Sequence, residues 1–219
     1  MIDFAAQWLK ALGELANLPR LEYHATIENG DVGFPRASSI GQCARKQYFK
    51  LIGAAETNPQ PAAQNWPALM GYLGQELSAN ILVQMGYTLV VPGLRIVKDV
   101  LSVHPDGILA GLDLPKPVLW DSKLRNCYGF KDLLKGPLKQ QDAGMYLQMQ
   151  EGMQATDTER ALITVHPHDL STWKVELSRA KLTLVEPAVH RIWVERDEKA
   201  QQLAVDRAQG LLAAKALGK

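Results

Sequence analysis

The segment from residue 87 to residue 123 constrains the fold most, because there the chain changes from helical to extended patterning. It contains the short runs TLVVP, LRIV, LSVHPDGIL and PVLWDSKL, which are rich in β-branched residues and separated by Gly, Pro and Asp. This pattern is typical of short strands joined by turns, and it predicts consecutive strands of one sheet. Helical patterns lie on both sides of it. The sequence therefore predicts an α/β fold with a central mixed β-sheet flanked by helices.

The helical and extended patterns outside this segment predict the remaining elements. Helices are expected over residues 2–17, from Ser39 to Gly53, and over 67–86, 129–135 and 140–156. RALITVHP and TWKVEL predict two further strands, and the stretch from about residue 179 to residue 217 is expected to be mostly helix, interrupted at Pro187. Together these elements predict a single domain over residues 1–219, with an N-terminal helical segment and a C-terminal helical extension.

Composition excludes several classes of protein. The chain has 219 residues, of which 47% are hydrophobic, so it can bury a sizeable core. No apolar run approaches the roughly 20 residues that cross a bilayer, and the N-terminus does not resemble a signal peptide. Two cysteines are too few for a disulfide scaffold. We expect an intracellular protein without a membrane segment. The net charge of +1 neither requires nor excludes a nucleic-acid partner.

The stretch HPDGILAGLDLPKPVLWDSKL carries the chemistry-bearing residues. Asp106 is expected in a Pro-Asp-Gly bend inside one apolar strand. Asp121 is expected at the end of another strand, with Lys123 two positions beyond. Residues two apart in a strand share a face, so neighbouring strands can bring two carboxylates and one ammonium together. As an alternative, Pro-Asp-Gly is a common turn, and an Asp-x-Lys triplet at a strand end also arises by chance.

Carboxylates of this kind suit Mg²⁺ or Mn²⁺. A metal held by Asp106 and Asp121 can activate a water and neutralise charge on a phosphate, while Lys123 orients that water or stabilises the transition state. The carbonyl of Ser122 is a further candidate metal ligand. The combination predicts hydrolysis of phosphodiester bonds.

These motifs resemble the PD-(D/E)XK nucleases, specifically the RecB-like and phage recombination exonuclease branches that include lambda exonuclease and the YqaJ proteins. The resemblance covers about residues 36–166 and implies a restriction-endonuclease-like fold. HPDGIL resembles the second motif of that family and WDSK the third, with Asp in place of the more frequent Glu. MGYLGQE resembles the first-helix motif and implies Glu76 as a third metal ligand. MYLQMQEGMQAT resembles the following helix and implies a role near the site for Gln148. It also implies a DNA-binding role for Tyr146, which lies two residues before this glutamine where three is common in the family.

The upstream segment RASSIGQCARKQYFKLIG resembles the helix before the core in RecB-like nucleases. Some relatives use a cysteine there for an iron–sulfur cluster. This chain lacks the other cysteines, so we expect Cys43 to be a small buried residue. Basic and hydroxyl side chains in this segment are candidate contacts to a DNA phosphate, with a charged surface as the alternative: Arg36, Ser39, Arg45 and Lys46. Lys131, which begins a run of lysines at four-residue spacing, is a further candidate, and a solvated helix face explains it almost as well.

The resemblance implies an exonuclease of phage or prophage origin that acts on duplex DNA ends in recombination or repair. Such an enzyme would work in the cytoplasm of a bacterial host, beside a single-strand annealing protein, and as a homo-oligomer in the lambda-like case. Two alternatives stay open. One is a structure-specific or restriction-type endonuclease of the same fold, and the other is a DNA-binding or assembly protein without catalysis. His166 and His168 are interpreted as part of a strand-end loop and not as a zinc pair.

Overall fold

The computed structural model describes residue 7 and residues 34–55, 66–90, 95–111, 114–167, 174–178, 181–186 and 189–218. Its helices are α1 (Ala44–Leu51), α2 (Trp66–Gln84), α3 (Cys127–Leu133), α4 (Leu138–Gln141), α5 (Ala143–Thr156) and α6 (Glu198–Ala216). Its strands are β1 (Thr88–Val90), β2 (Ile96–Lys98), β3 (Leu101–Val103), β4 (Gly107–Ala110), β5 (Val118–Arg125), β6 (Arg160–Pro167), β7 (Lys174–Ser178), β8 (Lys181–Glu186) and β9 (His190–Glu195). Apart from the helical Gln7, the predicted first helix lies outside the described residues.

A five-stranded mixed sheet forms the centre, in the order β1–β4–β5–β6–β9. Strands β5 and β6 run parallel, and every other neighbouring pair in this sheet is antiparallel. The parallel pair needs a crossover, and the chain supplies it with α3, α4 and α5. The predicted fold class, a central mixed sheet flanked by helices, is confirmed.

The two faces of β5 pack against different helices, because successive side chains of a strand point to opposite faces. Trp120 packs with Ile81 and Leu82 of α2 in one core cluster. Leu119 packs with Met149 of α5 in a second cluster on the opposite face. A third cluster joins α5 to α6 and α1, and contains Ile40, Leu51, Leu101, Leu147, Ala200, Ala204, Ala208 and Leu211. The helices thus cover the sheet as two layers, with α6 outside α5.

The helices around the site begin at polar capping residues. The side chain of Asp142 accepts a hydrogen bond from the Met145 amide at 2.8 Å and so starts α5. Asp197 caps α6 by accepting from the Ala200 amide at 3.2 Å. Among the described residues, no helix is both long and apolar enough to span a bilayer.

The prediction that residues 87–123 form consecutive strands of one sheet is wrong in part. Strands β2 and β3 pair with each other in a separate two-stranded sheet, across a turn in which Asp99 has a φ of 54°. Asp106 therefore lies in the bend between β3 and β4, and not inside a strand. Asp121 lies in the middle of β5, which continues to Arg125 because its second half pairs with β6.

The prediction of helix from residue 179 to residue 217 is wrong for its first half. Residues 181–186 and 190–195 are the strands β8 and β9, and the helix begins only at Glu198. The segment HRIWVE is extended because β6 supplies a partner, with Ile163 opposite Ile192 and Ala161 opposite Val194. Pairing with a distant strand outweighs the local helical pattern.

Two expectations for the upstream segment also fail. Ser39 does not begin α1. Instead it ends a 3-10 turn, Ala37–Ser39, and its hydroxyl donates to the Arg36 carbonyl at 3.0 Å. Cys43, expected to be buried, is exposed because it occupies the N-cap of α1, before the first turn. The backbone amides of Lys46 and Arg45 at this helix start lower the pKa of the Cys43 thiol.

Candidate active site

The centre of the candidate site is a salt bridge on β5. Lys123 Nζ lies 2.6 Å from Asp121 Oδ2, as expected for two side chains on one face of a strand. Asp121 is 2% exposed. Gln148, on α5, donates through Nε2 to Asp121 Oδ1 at 3.4 Å. The strand and the helix packed on it thus place an ammonium and an amide against one buried carboxylate.

Asp106 joins this group through the backbone of β5. Its Oδ2 accepts a hydrogen bond from the Ser122 amide at 2.7 Å. Gly107 follows it because any Cβ there would overlap Leu89. The glycine therefore lets β4 pass closely over its neighbours while the bend directs Asp106 towards β5.

The carboxylates repel one another. Loss of hydration, followed by the charge of Asp121, raises the pKa of Asp106 to about 7, against the opposing effects of Lys123 and the Ser122 amide. Glu76 contributes a further, smaller repulsion. Burial alone would lower the pKa of Lys123, but Asp121 and Asp106 outweigh it and leave that pKa above its ordinary value. The site therefore holds an excess of negative charge beside a firmly protonated lysine.

Glu76 is on the other side of Asp106, on α2. Glu76, Asp106 and Trp120 line a cleft of about 190 Å³. Among the residues that the structure describes, no three His, Cys, Asp or Glu side chains converge closely enough to enclose a metal ion by themselves. Mg²⁺ does not require such a cage, because proteins usually hold it with one or two carboxylates while waters and substrate phosphates complete its shell. Asp106 and Asp121, which lie close enough for the charge of Asp121 to raise the pKa of Asp106, fit that requirement, and Glu76 lines the cleft beside Asp106.

Ser122 turns its side chain away from this group. Its hydroxyl lies 3.1 Å from Ser78 Oγ and 3.4 Å from His166 Nε2. Ser78 Oγ is 2.7 Å from the same ring nitrogen. His166 is part of β6 and buried, not in a strand-end loop as expected, and burial lowers its pKa to about 4. His168 lies outside the described residues. Ser78 and His166 have no signal in the local sequence as members of this group, because their contacts depend on the parallel pairing of β5 and β6.

The predicted DNA-contacting residues are dispersed. Tyr146 lies on α5, but its hydroxyl donates to Asp197 Oδ2 at 2.9 Å, and Lys139 Nζ lies 2.9 Å from the same oxygen. Burial and the Asp197 hydrogen bond raise the pKa of Tyr146 to about 12. This tyrosine therefore contacts the N-terminus of α6 and not the site carboxylates Asp106 and Asp121. Lys131 is exposed on α3, just beyond the end of β5.

The upstream residues divide into two groups. Arg36 precedes the 3-10 turn and Ser39 ends it. Two residues further on, a Cβ on Gly41 would lie 2.5 Å from Gly144 Cα. Gly144 is one helical turn before Gln148, so this part of the segment lies beside the helix that serves the site. Arg45 instead lines a mostly apolar cavity of about 610 Å³ between α1 and α6. Lys46 is exposed on α1.

Comparison with known proteins gives the fold a context. The alkaline exonuclease LHK-Exo from Laribacter hongkongensis superposes with a TM-score of 0.52 at 18% identity, over 83% of this chain and 87% of that one. This chain shares the fold of that exonuclease. LHK-Exo in complex with dAMP gives a TM-score of 0.54 at 16% identity, over the same shares of the two chains. A phage-related exonuclease from Haemophilus somnus 129PT gives 0.51 at 19% identity, over 84% of this chain and 96% of that one.

No family model and no curated protein matches the sequence. The fold that the sequence motifs implied is confirmed by the likeness to these solved structures.

Proposed function

We propose that this chain is a divalent-metal-dependent DNA nuclease, and specifically an exonuclease that degrades duplex DNA from its ends. The observation that carries the proposal is the grouping of Asp106, Asp121 and Lys123 around β5. The fold that the chain shares with exonucleases supports it. Through the same resemblance, the proposal includes a role in phage-type recombination or repair, a single-strand annealing protein as partner and a homo-oligomer.

The metal ligands in this proposal are Asp106 and Asp121, with Glu76 as a third carboxylate and the Ser122 carbonyl as a further oxygen. Loss of hydration and, after it, repulsion by Asp121 raise the pKa of Asp106, and a divalent cation would offset that repulsion. When bound, Mg²⁺ or Mn²⁺ supplies an activated water and neutralises charge on the phosphate. The cation thus adds the positive charge that these carboxylates lack on their own.

The protein's own side chains perform the rest of the chemistry. Lys123 stays protonated beside two carboxylates, so its ammonium is available to stabilise negative charge as it develops on the scissile phosphate. Gln148 orients Asp121 by donating to it. Outside the centre, Lys131, Arg36 and Ser39 supply positive charge and a hydroxyl for the DNA backbone. Arg45 and Lys46 contact the DNA backbone only if DNA extends across α1. Tyr146 contributes indirectly, because its hydroxyl joins α5 to the N-terminus of α6.

The test is the degradation of linear and closed circular duplex DNA with Mg²⁺ or Mn²⁺. We expect the wild type to degrade the linear form, to leave the circle intact and to stop when EDTA is added. Lys123→Ala and Asp121→Asn should each lower the rate by about 100-fold or more. Lys116→Ala is the matched control, because this exposed lysine lies before the start of β5, pairs with Glu159 and should leave the rate unchanged.

The outcomes separate the alternatives. Cleavage of the closed circle would replace the exonuclease with an endonuclease of the same fold. Folded protein that binds DNA without metal and cuts neither form would favour a non-catalytic DNA-binding protein. Equal rates for Lys123→Ala and Lys116→Ala would show that Lys123 takes no part in the chemistry.

A further inference from the structure

A buried polar cluster lies behind the strand that carries Asp121 and Lys123. It consists of Ser78 on α2, Ser122 on β5 and His166 on β6, and is called the serine–histidine cluster below. Ser78 is 0% exposed and His166 is 7% exposed. The two serine hydroxyls lie 3.1 Å apart, and Ser78 Oγ lies 2.7 Å from His166 Nε2. The cluster joins three elements that are remote in sequence.

The hydrogens of this cluster can be assigned by counting donors. A serine hydroxyl has one hydrogen, and Ser78 donates its hydrogen to the Gly74 carbonyl at 2.6 Å. Ser78 Oγ must then accept from His166, so the ring carries a hydrogen on Nε2. The same oxygen has a second lone pair, which accepts the Ser122 hydroxyl. All three hydrogen bonds of Ser78 Oγ are thereby assigned, and the loss of His166 or Ser122 removes one of them from a buried hydroxyl.

Two members of the cluster lie close in sequence to carboxylates of the candidate site. Ser78 is two residues after Glu76 on α2. Ser122 lies between Asp121 and Lys123, and its own amide donates to Asp106 Oδ2 at 2.7 Å. The cluster therefore sets the position of the α2 turn relative to the backbone of β5, from the side of the strand opposite to Asp121.

We propose that Ser78, Ser122 and His166 are positioning residues for the metal-binding carboxylates. They hold the α2 turn that carries Glu76 against β5, so that Glu76, Asp106 and Asp121 face one cation together. This inference rests on the proposed function. It goes beyond that function by assigning metal affinity to the side chains of Ser78, Ser122 and His166, which are proposed to contact neither the cation nor DNA. Outer partners of metal ligands act in this way in other proteins, where their loss lowers metal affinity or activity about 10- to 100-fold.

The test measures Mn²⁺ binding by calorimetry on EDTA-stripped protein, with the melting temperature recorded for each variant. His166→Leu should weaken Mn²⁺ binding about 10-fold or more. His166→Gln keeps an N–H donor for Ser78 and should retain most of the affinity. Thr158→Val is the matched control, because Thr158 is also a buried polar residue, and its hydroxyl lies 3.0 Å from Thr156 Oγ1 near the end of α5, away from the candidate site. It should lower the melting temperature and leave Mn²⁺ affinity unchanged.

Two results would overturn the inference. Equal Mn²⁺ affinity in His166→Leu and Thr158→Val would show that the cluster serves stability alone. If His166→Leu does not fold, the smaller Ser78→Ala takes its place in the same comparison. Failure of the proposed function is visible earlier and separately, because the wild type itself would then bind no Mn²⁺ and cut no DNA, and both proposals would fall.

Discussion

At the scale of single residues, the two carboxylate oxygens of the buried Asp121 have different partners. One oxygen faces the Lys123 ammonium at 2.6 Å and the other faces the Gln148 amide at 3.4 Å. Gln148 on α5 thereby orients the carboxylate, and the Lys123 ammonium balances its negative charge. Removal of the amide should leave the charge balance intact and loosen only the orientation.

The Gln148→Ala variant isolates that effect. We expect it to lower kcat on linear duplex DNA by about 10-fold, since the loss of a partner of a metal ligand typically costs 10- to 100-fold. Gln154→Ala is the control, because Gln154 lies on the same helix but donates to Asp99 at 2.9 Å. Steady-state rates at saturating Mg²⁺ would measure both. An unchanged kcat in Gln148→Ala would exclude the orienting role.

Glu151 is a buried acid outside the candidate site, and it makes stability depend on pH. It is 3% exposed, and burial, with a smaller contribution from Asp99, raises its pKa to about 7 from an ordinary 4.5. The folded state therefore holds this proton more tightly than the unfolded state. The stability contributed is fully present below about pH 4.5 and is lost as the pH rises through about 7.

Glu151→Gln should remove this pH dependence. At pH 8 we expect the free energy of unfolding of the variant to exceed that of the wild type by roughly 2–3 kcal/mol. Near pH 4.5 we expect the two free energies of unfolding to be nearly equal. Urea titrations in EDTA at the two pH values would measure the difference. Glu159→Gln serves as control, because Glu159 is exposed and pairs with Lys116. A constant difference between wild type and Glu151→Gln at both pH values would contradict the prediction.

At the scale of elements, strands with strong local patterns were predictable and strands made by distant pairing were not. RALITVHP predicts β6 with the observed bounds, and the two-residue spacing of Asp121 and Lys123 predicts their common face. By contrast, the pattern around HRIWVE predicts helix. Its extended form depends on pairing with β6, about 30 residues earlier, which local spacing does not reveal.

The same limit applies to the candidate site. Asp106, Asp121 and Lys123 lie within one short stretch whose turn and strand signals place them locally. The serine–histidine cluster instead depends on the parallel register that puts Leu124 opposite His166. Tyr146 was expected to serve the site, but its hydroxyl contacts Asp197, 51 residues away. Neither contact has a signal in local spacing.

The contact between the 3-10 segment and α5 yields a prediction about stability. Gly41→Ala should destabilise the protein by about 1–3 kcal/mol, since its Cβ would meet the backbone at Gly144 Cα at 2.5 Å and neither chain segment can rotate away. Gly210→Ala should stabilise by about 0.5–1 kcal/mol, because Gly210 lies within α6 with nothing within 4 Å of the added atom. Chemical denaturation would compare the two. Equal effects of both substitutions would show that the close approach carries no strain.

At the scale of the whole molecule, a net charge of +1 means that attraction to DNA must be local. Lys131→Glu, just beyond β5 on α3, should raise KM for linear duplex DNA about 3- to 10-fold without changing kcat, and should reduce the salt dependence of binding by about one phosphate contact. Lys116→Glu makes the same charge change at the opposite end of β5, where Lys116 pairs with Glu159. Equal KM values for the two variants would place the DNA path elsewhere.

The alternation along β5 also limits where this chain can change in length. Asp121 and Lys123 occupy one parity of the strand, and Trp120, Ser122 and Leu124 occupy the other. One inserted residue ahead of Trp120 within the strand would exchange the two faces for the residues after it, burying the charged pair against α2 and turning the tryptophan towards α5. The connection between β4 and β5 has no such constraint, so insertions and deletions in related sequences should accumulate there while the eight positions of β5 keep their count.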